Sequence, residues 1–124
     1  RASTGSVVDC MELEIPDTDV DGWTVVAASG EIDVATAPVL RDQLTDLVEA
    51  GSTRLVVDLE DVDFIDSTGL GVLVGGVRRA RAEDGDLRLV CTNTRILKVF
   101  EATGLDEVFT IGSTVDDAVA AEAQ

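Results

Sequence analysis

Residues 54–82, R-L-V-V-D-L-E-D-V-D-F-I-D-S-T-G-L-G-V-L-V-G-G-V-R-R-A-R-A, carry the clearest indication of the fold class. Its first part, Arg54 to Leu59, is a nearly continuous apolar run of strand length, which predicts a central strand buried on both faces. Its second part predicts a helix that begins near Ser67 and ends at Gly85, with arginines in the last turns, where cations suit the helix dipole. The apolar stripe of this helix consists of Leu70, Leu73, Val74 and Val77. A buried strand that leads into a helix is the repeating unit of a parallel α/β sheet.

The segments on either side continue the alternation of strands and helices. Residues 7–15 and 23–29 predict an opening hairpin joined by a turn-rich connection over 16–22, and residues 30–33 a loop or short strand. Thr36-Ala37-Pro38 predicts a helix start with a hydroxyl cap, and Gly51 predicts the end of that helix. Further strands are predicted at 87–91 and 108–111, with helices over 94–103 and from Thr114 onward. The predicted fold class is α/β, with a mixed, largely parallel sheet of four or five strands and about four helices, mostly on one face.

The composition restricts the classes of function. The chain has 25 acidic and 9 basic residues and a formal net charge of -16. This charge argues against binding to nucleic acid or to anionic membranes, because binding to either requires clustered Lys and Arg. Histidine is absent, which excludes Ser-His-Asp and Cys-His catalysis and histidine-ligated metals. Cys10 and Cys91 lie in apolar runs that are typical of buried structural cysteines. We therefore expect a cytoplasmic protein that holds no cofactor or metal of its own.

The length of 124 residues suits one domain. We expect residues 7–124 to form this single domain. Residues 1–6 are expected to be disordered or to derive from an expression vector. No apolar stretch reaches the roughly 18 residues that a membrane-spanning helix needs.

Ser67, at the start of the predicted helix, has three possible roles. It could cap the helix by accepting a hydrogen bond from a free backbone N–H group, which is worth about 1 kcal/mol. A nucleophilic role is disfavoured, because no histidine can activate the serine and the G-x-S-x-G pattern is absent. As a phosphate acceptor it would gain about 1.5 to 2 negative charges. We expect the free N–H groups and dipole of the helix N-terminus to offset the repulsion from Asp61, Asp63 and Asp66. The residues alone leave the cap and the acceptor open.

Other patterns in the chain suggest different chemistry. The run G-L-G-V-L-V-G misses the dinucleotide-binding spacing by one residue and lies within a helix, which disfavours a nucleotide site. Asp58 and Lys98, with Asp17 and Asp19 as a loose acidic pair, would suit a receiver-like phosphoaspartate site with Mg²⁺. The helical glycines indicate close packing against the sheet or against another protein, because each costs about 1 kcal/mol relative to alanine.

Three motifs, in order along the chain, resemble those of anti-anti-sigma factors, which are stand-alone STAS domains. Gly30-Glu31-Ile32-Asp33 is similar to the G-E-[IL]-D segment that precedes the first long helix of these proteins. Asp66-Ser67-Thr68-Gly69-Leu70 is similar to their D-S-[ST]-G-L at a helix start, and Thr103-Gly104-Leu105 to their T-G-L or S-G-L at a helix end. The resemblance extends from about Val7 to Val119.

The resemblance implies a regulatory binding module and not an enzyme. In this family, an anti-sigma factor that is also an ATP-dependent serine kinase binds the unphosphorylated domain and releases its sigma factor. The kinase phosphorylates one serine, which breaks the complex, and a metal-dependent phosphatase resets it. The resemblance makes Ser67 the phosphoacceptor, Asp66, Thr68 and Gly69 its docking surface, and Glu31 and Asp33 a neighbouring loop presented to the kinase. ATP and Mg²⁺ belong to the partners. Within the family, the alternative is a STAS domain that is never phosphorylated and serves as a scaffold in a stress-signalling complex.

Overall fold

The computed structural model describes residues 17–120, in which strands and helices alternate. The strands are β1 (Asp17–Val20), β2 (Trp23–Ile32), β3 (Arg54–Ile65), β4 (Asp86–Val90) and β5 (Ile111–Gly112). The α-helices are α1 (Ala37–Glu49), α2 (Ser67–Ala82), α3 (Thr94–Thr103) and α4 (Val115–Ala120), and a 3₁₀ helix (Leu105–Glu107) follows α3. Within this range, no helix is both long and apolar enough to cross a membrane.

The five strands form one sheet in the order β1-β2-β3-β4-β5. β1 is antiparallel to β2, and the other neighbouring pairs are parallel. One face carries Val26 and Val57 and packs against α1, α2 and α3, whereas the other carries Val25 and Val56 and packs against Ala118 of α4. Successive residues of a strand therefore enter different cores, as the two-residue period of a strand requires. The predicted fold class is confirmed.

The opening hairpin is present, but its first strand differs from the prediction. Residues Asp17–Val20 pair with Trp23–Val26, so the predicted connection over 16–22 is wrong at residues 17–20. The turn consists of Asp21 and Gly22, whose φ angles are 52° and 87°. Two positive φ angles define the tight turn that Asp-Gly favours between antiparallel strands. The predicted strand at 7–15, with Cys10, lies outside the described residues.

β3 continues six residues beyond its predicted end at Leu59 and contains two bulges. Residues 27–32 of β2 pair with residues 58–65 of β3, so β3 uses eight residues where β2 uses six. Each extra residue changes the face on which the following side chains lie. The buried positions are therefore Leu59, Val62 and Ile65, which are three residues apart. Phe64 remains at the surface, where it is 47% exposed.

Two other element boundaries in the structure differ from the predicted ones. α2 ends at Ala82 and not at Gly85, because Asp84 takes a left-handed φ of 67° and Gly85 N–H donates to Ala80 O at 2.8 Å. This arrangement closes the helix with a Schellman-type turn. The last strand is Ile111–Gly112 and not 108–111, because the 3₁₀ helix intervenes and Phe109 enters the core.

Arg88 connects α4 to the sheet from a buried position, with 5% of its surface exposed. Its guanidinium donates to Ala118 O at 2.8 Å and to Val119 O at 3.4 Å. It also pairs with Asp86 at 3.3 Å and lies 4.4 Å from the centroid of the Trp23 ring. A buried charge is tolerated only with such partners. Arg88 therefore holds α4 against the second face of the sheet.

Candidate functional site

The loops that follow β2 and β3 meet at the carboxyl end of these parallel strands. The backbone N–H of Asp66, just after β3, donates to the carbonyl oxygen of Ile32, the last residue of β2, at 3.1 Å. This bond places the Asp33–Thr36 loop next to the start of α2. Ligands of open α/β sheets bind at this edge, and the structure brings together here the two motifs that carry Glu31 and Ser67.

Asp66 caps α2, and Ser67 is the first helical residue. The Asp66 carboxylate accepts hydrogen bonds from Thr68 N–H at 2.9 Å and from Gly69 N–H at 3.1 Å. The possible role of Ser67 as the cap is therefore wrong. Ser67 and Thr68 are both exposed, and neither hydroxyl has a hydrogen-bond partner among residues 17–120. The Ser67 hydroxyl is free to react or to contact another molecule.

The capping bonds also change the expected energetics of a phosphate at Ser67. The prediction that such a phosphate finds free N–H groups at the helix start is wrong for Thr68 and Gly69, because Asp66 occupies both donors. The Asp66 carboxylate also takes the favourable interaction with the positive end of the helix dipole. A phosphoryl group on Ser67 would therefore be repelled by Asp66 and would project into the solvent.

The glycines of α2 lie on two sides of the helix. A Cβ atom on Gly69 would meet Ile32 Cγ2 at 2.6 Å and Ile65 Cγ1 at 2.8 Å, and one on Gly76 would meet Leu87 Cδ1 at 2.9 Å. These two glycines let the helix approach the sheet. Around Gly71, in contrast, an added Cβ would have nothing within 4 Å. The predicted place of Gly69 in the docking surface is thus corrected: Gly69 is buried, and Gly71 is the exposed glycine.

Asp33 and Glu31 lie in the adjacent segment but differ in their surroundings. The Asp33 carboxylate accepts hydrogen bonds from Ala35 N–H at 3.0 Å and Thr36 N–H at 3.1 Å. The Thr36 hydroxyl donates to Glu31 O at 2.7 Å and accepts from Asp33 N–H at 2.9 Å. Thr36 thus braces the loop, and its predicted side-chain cap on α1 is absent. The Glu31 side chain is exposed, so it is available to a partner, whereas Asp33 is already engaged.

Sequence reasoning missed the exposed apolar residues of this edge, Val34 and Phe64. Val34 follows Asp33 in the loop and is 72% exposed. The exposure of Phe64 was not predicted, because it lies in the apolar run Val62 to Ile65. A regular strand that buries Val62 would also bury Phe64, whereas this strand buries every third residue. The spacing of the acids Asp61 and Asp63 would also have placed Phe64 on the inward side, because side chains alternate along a regular strand. Only the register shift against β2 between Gly30 and Glu31 accounts for its exposure.

The receiver-like alternative gains no support from the geometry. The Asp58 carboxylate accepts a hydrogen bond from Glu60 N–H at 2.9 Å, and Asp19 accepts one from the Thr24 hydroxyl at 3.2 Å, on the hairpin. Across residues 17–120, no three acidic, histidine or cysteine side chains are grouped as a metal site would require.

Cys91 has the character of a structural residue. Its thiol is buried at the end of β4, and burial raises the pKa of this thiol above its ordinary value. The hydrogen bond to Asn93 acts in the opposite direction, and the negative charges of Glu60 and Asp58 raise the pKa further. A thiol that stays protonated is a poor nucleophile and a poor metal ligand.

Known proteins resemble this chain over most of its length. The anti-sigma-B factor antagonist of Bacillus subtilis (strain 168) is 40% identical over 94 residues, which are 76% of this chain and 85% of that protein. The anti-sigma-B factor antagonist of Staphylococcus aureus (strain NCTC 8325 / PS 47) is 38% identical over 98 residues, or 79% of this chain and 91% of that protein. The crystal structure of an anti-sigma factor antagonist from Mycobacterium paratuberculosis matches with a TM-score of 0.79 and 34% identity, covering 87% of this chain and 92% of that chain.

The sequence profile of the STAS domain matches residues 13–118. This range contains every described strand, the Asp66 cap and the exposed Ser67. The resemblance drawn from the three short motifs is confirmed. The chain belongs to the STAS domain family.

Proposed function

We propose that this chain is an anti-sigma factor antagonist. In its unphosphorylated form it binds an anti-sigma factor that is also a serine kinase, and thereby releases a sigma factor. Phosphorylation at Ser67 ends the complex. The observation that carries the proposal is the Ser67 hydroxyl, which is exposed on the first residue of α2 and has no hydrogen-bond partner among residues 17–120. The relatives named above are antagonists of anti-sigma factors.

The proposed switch acts through local charge and bulk. A phosphoryl group adds about 1.5 to 2 negative charges beside the Asp66 carboxylate. Each like-charge pair about 6 Å apart costs roughly 0.7 kcal/mol in water and about 3 kcal/mol at an effective dielectric of 20. In the free protein this group is solvated, so the fold changes little. Under a docked partner it is desolvated, so the same repulsion becomes several times larger and the complex dissociates.

The chemistry of the cycle belongs to the partners. The kinase supplies ATP and Mg²⁺, and a regulatory phosphatase removes the phosphoryl group. This chain contributes the acceptor hydroxyl of Ser67 and the docking surface formed by Asp66, Thr68 and Glu31. Asp33 contributes indirectly, because it holds the loop before α1 in place.

The test uses purified anti-sigma factors encoded in the same genome, each assayed for binding and for labelling with radioactive ATP. Wild type and Ser67→Ala are expected to bind equally, but only wild type is expected to become labelled. Thr68→Val is the matched control, since it removes the neighbouring exposed hydroxyl and should leave labelling intact. Ser67→Asp is expected to bind at least tenfold more weakly.

Three results would contradict the proposal. Stoichiometric labelling of Ser67→Ala would show that the acceptor lies elsewhere. An acid-labile phosphoryl group would indicate phosphoaspartate. Unchanged affinity of Ser67→Asp would show that charge at this position does not control the complex and would favour the scaffold that is never phosphorylated.

A further inference from the structure

The large apolar side chains that are exposed in the described part of the chain all lie at one edge of the molecule. They are Val34, 72% exposed, Phe64, 47% exposed, and Val39, 39% exposed. Val34 lies in the loop after β2, Val39 in the first turn of α1, and Phe64 next to the last residue of β3. Single exposed apolar residues are ordinary, but their confinement to one edge indicates a contact surface.

A backbone hydrogen bond joins the two segments that carry the most exposed of these residues, Val34 and Phe64. The hydrogen bond from Asp66 N–H to Ile32 O joins the two loops. Phe64 lies two residues before Asp66, and Val34 lies two residues after Ile32. Phe64 and Val34 therefore each lie within two residues of one end of this bond, and Ser67 directly follows Asp66.

Both residues lie in segments that the local structure holds in place. The Asp33 carboxylate binds the N–H groups of Ala35 and Thr36 at 3.0 and 3.1 Å, which fixes the turn that carries Val34. The second bulge of β3 falls between the pairs Gly30–Val62 and Glu31–Phe64, and it places Phe64 on the outer side while Ile65 enters the core. A rigid apolar group loses little conformational entropy when it binds.

The two segments that carry these residues contain acids but no bases. Residues 24–40 and 55–77 contain no lysine or arginine. Their acids are Glu31, Asp33, Asp58, Glu60, Asp61, Asp63 and Asp66. Glu31 is the cross-strand neighbour of Phe64, and Asp63 precedes Phe64 in the chain. An apolar centre with a charged rim is the usual anatomy of a protein–protein interface.

We propose that Phe64 and Val34 are the apolar anchors by which this chain holds the anti-sigma factor. They enter an apolar depression of that protein which is rimmed by arginine or lysine side chains. The acids around Phe64 guide the approach of the basic rim, and the anchors determine how long the complex lasts. This inference rests on the proposed function and adds the chemistry of the partner surface. Ser67 lies three residues after Phe64, so the bulk of a phosphoryl group on Ser67 would hold this anchor away from the apolar depression.

The test compares surface variants of the unphosphorylated chain, with binding to the same purified anti-sigma factors measured by surface plasmon resonance at low and high NaCl. Phe64→Ser and Val34→Ser are expected to weaken binding by about 10- to 100-fold at both salt concentrations, mainly through faster dissociation. Glu31→Gln and Asp63→Asn are expected to slow association at low salt and to approach wild type at high salt. Arg79→Ser, an exposed position late in α2, is the matched control and should leave both rates unchanged.

The outcomes separate this inference from the proposed function. If wild type binds an anti-sigma factor and Phe64→Ser binds within twofold of it, the anchors are wrong and the proposed function stands. If wild type binds none of the anti-sigma factors, both fail. If sedimentation shows a wild-type dimer that Phe64→Ser dissociates, the surface joins two copies of this chain and the inference is overturned.

Discussion

Two glycines of α2 that are two residues apart should respond oppositely to the same substitution. Gly71→Ala adds a methyl group with nothing within 4 Å. Alanine is favoured over glycine in a helix interior by about 1 kcal/mol. We therefore expect Gly71→Ala to raise the free energy of unfolding by about 0.5 to 1 kcal/mol.

Gly69→Ala places its methyl group 2.6 Å from Ile32 Cγ2, 2.8 Å from Ile65 Cγ1 and 3.2 Å from Ile32 O. Both isoleucines are in the core, and Ile32 O accepts the bond from Asp66 N–H. Overpacking of this kind costs about 1 to 3 kcal/mol, which exceeds the gain in helix propensity. We expect a net loss of about 1 to 2 kcal/mol, so the two variants should differ by about 1.5 to 3 kcal/mol.

Urea unfolding at 25 °C, followed by circular dichroism, measures both values. The Gly69→Ala and Gly71→Ala variants also test the proposed docking surface. If the proposed docking surface includes the outer side of α2, Gly71→Ala should weaken anti-sigma binding although it stabilises the fold. The reasoning is refuted if Gly69→Ala is neutral or stabilising, or if Gly71→Ala destabilises the chain as much as Gly69→Ala does.

Three other positions give independent tests, each read from the free energy of unfolding or from thiol reactivity. Asp66→Ala should lose about 1 to 2 kcal/mol because two capping bonds disappear, whereas Asp66→Asn should lose only a few tenths. Arg88→Ala should lose about 3 kcal/mol or more in urea unfolding, because the α4 carbonyls lose their donor and Asp86 keeps only its bonds from Arg81 and Leu87. Exposed Arg79→Ala should stay within about 0.5 kcal/mol, and equal losses would contradict the role of Arg88 in holding α4. Burial raises the pKa of the Cys91 thiol above its ordinary value of 9.0. The stability that the protonated thiol contributes is therefore fully present below pH 9.0 and is lost as the pH rises through the pKa of the folded state. Wild type should therefore lose stability there, Cys91→Ala should not, and rapid alkylation of the native Cys91 thiol at pH 8 would refute its burial.

Local sequence patterns were sufficient to predict the alternation of strands and helices. The spacing of Leu70, Leu73 and Val77 in α2 predicted the buried face that the structure shows. The Asp21-Gly22 pair was an available hairpin signal, since Asp-Gly favours a two-residue turn. Reading it would have placed β1 correctly.

The errors at the site have a different origin, because they depend on pairing between distant residues. Asp66 and Ser67 are both good capping residues, one position apart. The bond from Asp66 N–H to Ile32 O fixes where β3 ends, and that contact decides in favour of Asp66. The bulges of β3 likewise exist only in its register with β2. Once the helix start is known, the helical phase does predict that Gly69 shares a side with Leu73 and Gly76.

The unequal lengths of the paired segments 27–32 and 58–65 have a consequence for how this gene can change. A one-residue deletion between Leu59 and Ile65 would remove a bulge, draw the start of α2 about 3.3 Å toward the strand and exchange inward for outward side chains. An insertion at the exposed Asp21-Gly22 turn or at residues 83–84 would only lengthen a surface turn. Alignment gaps in this segment should therefore be far rarer among functioning relatives than gaps at those turns, and a relative that carries one should also have lost the serine at the position of Ser67.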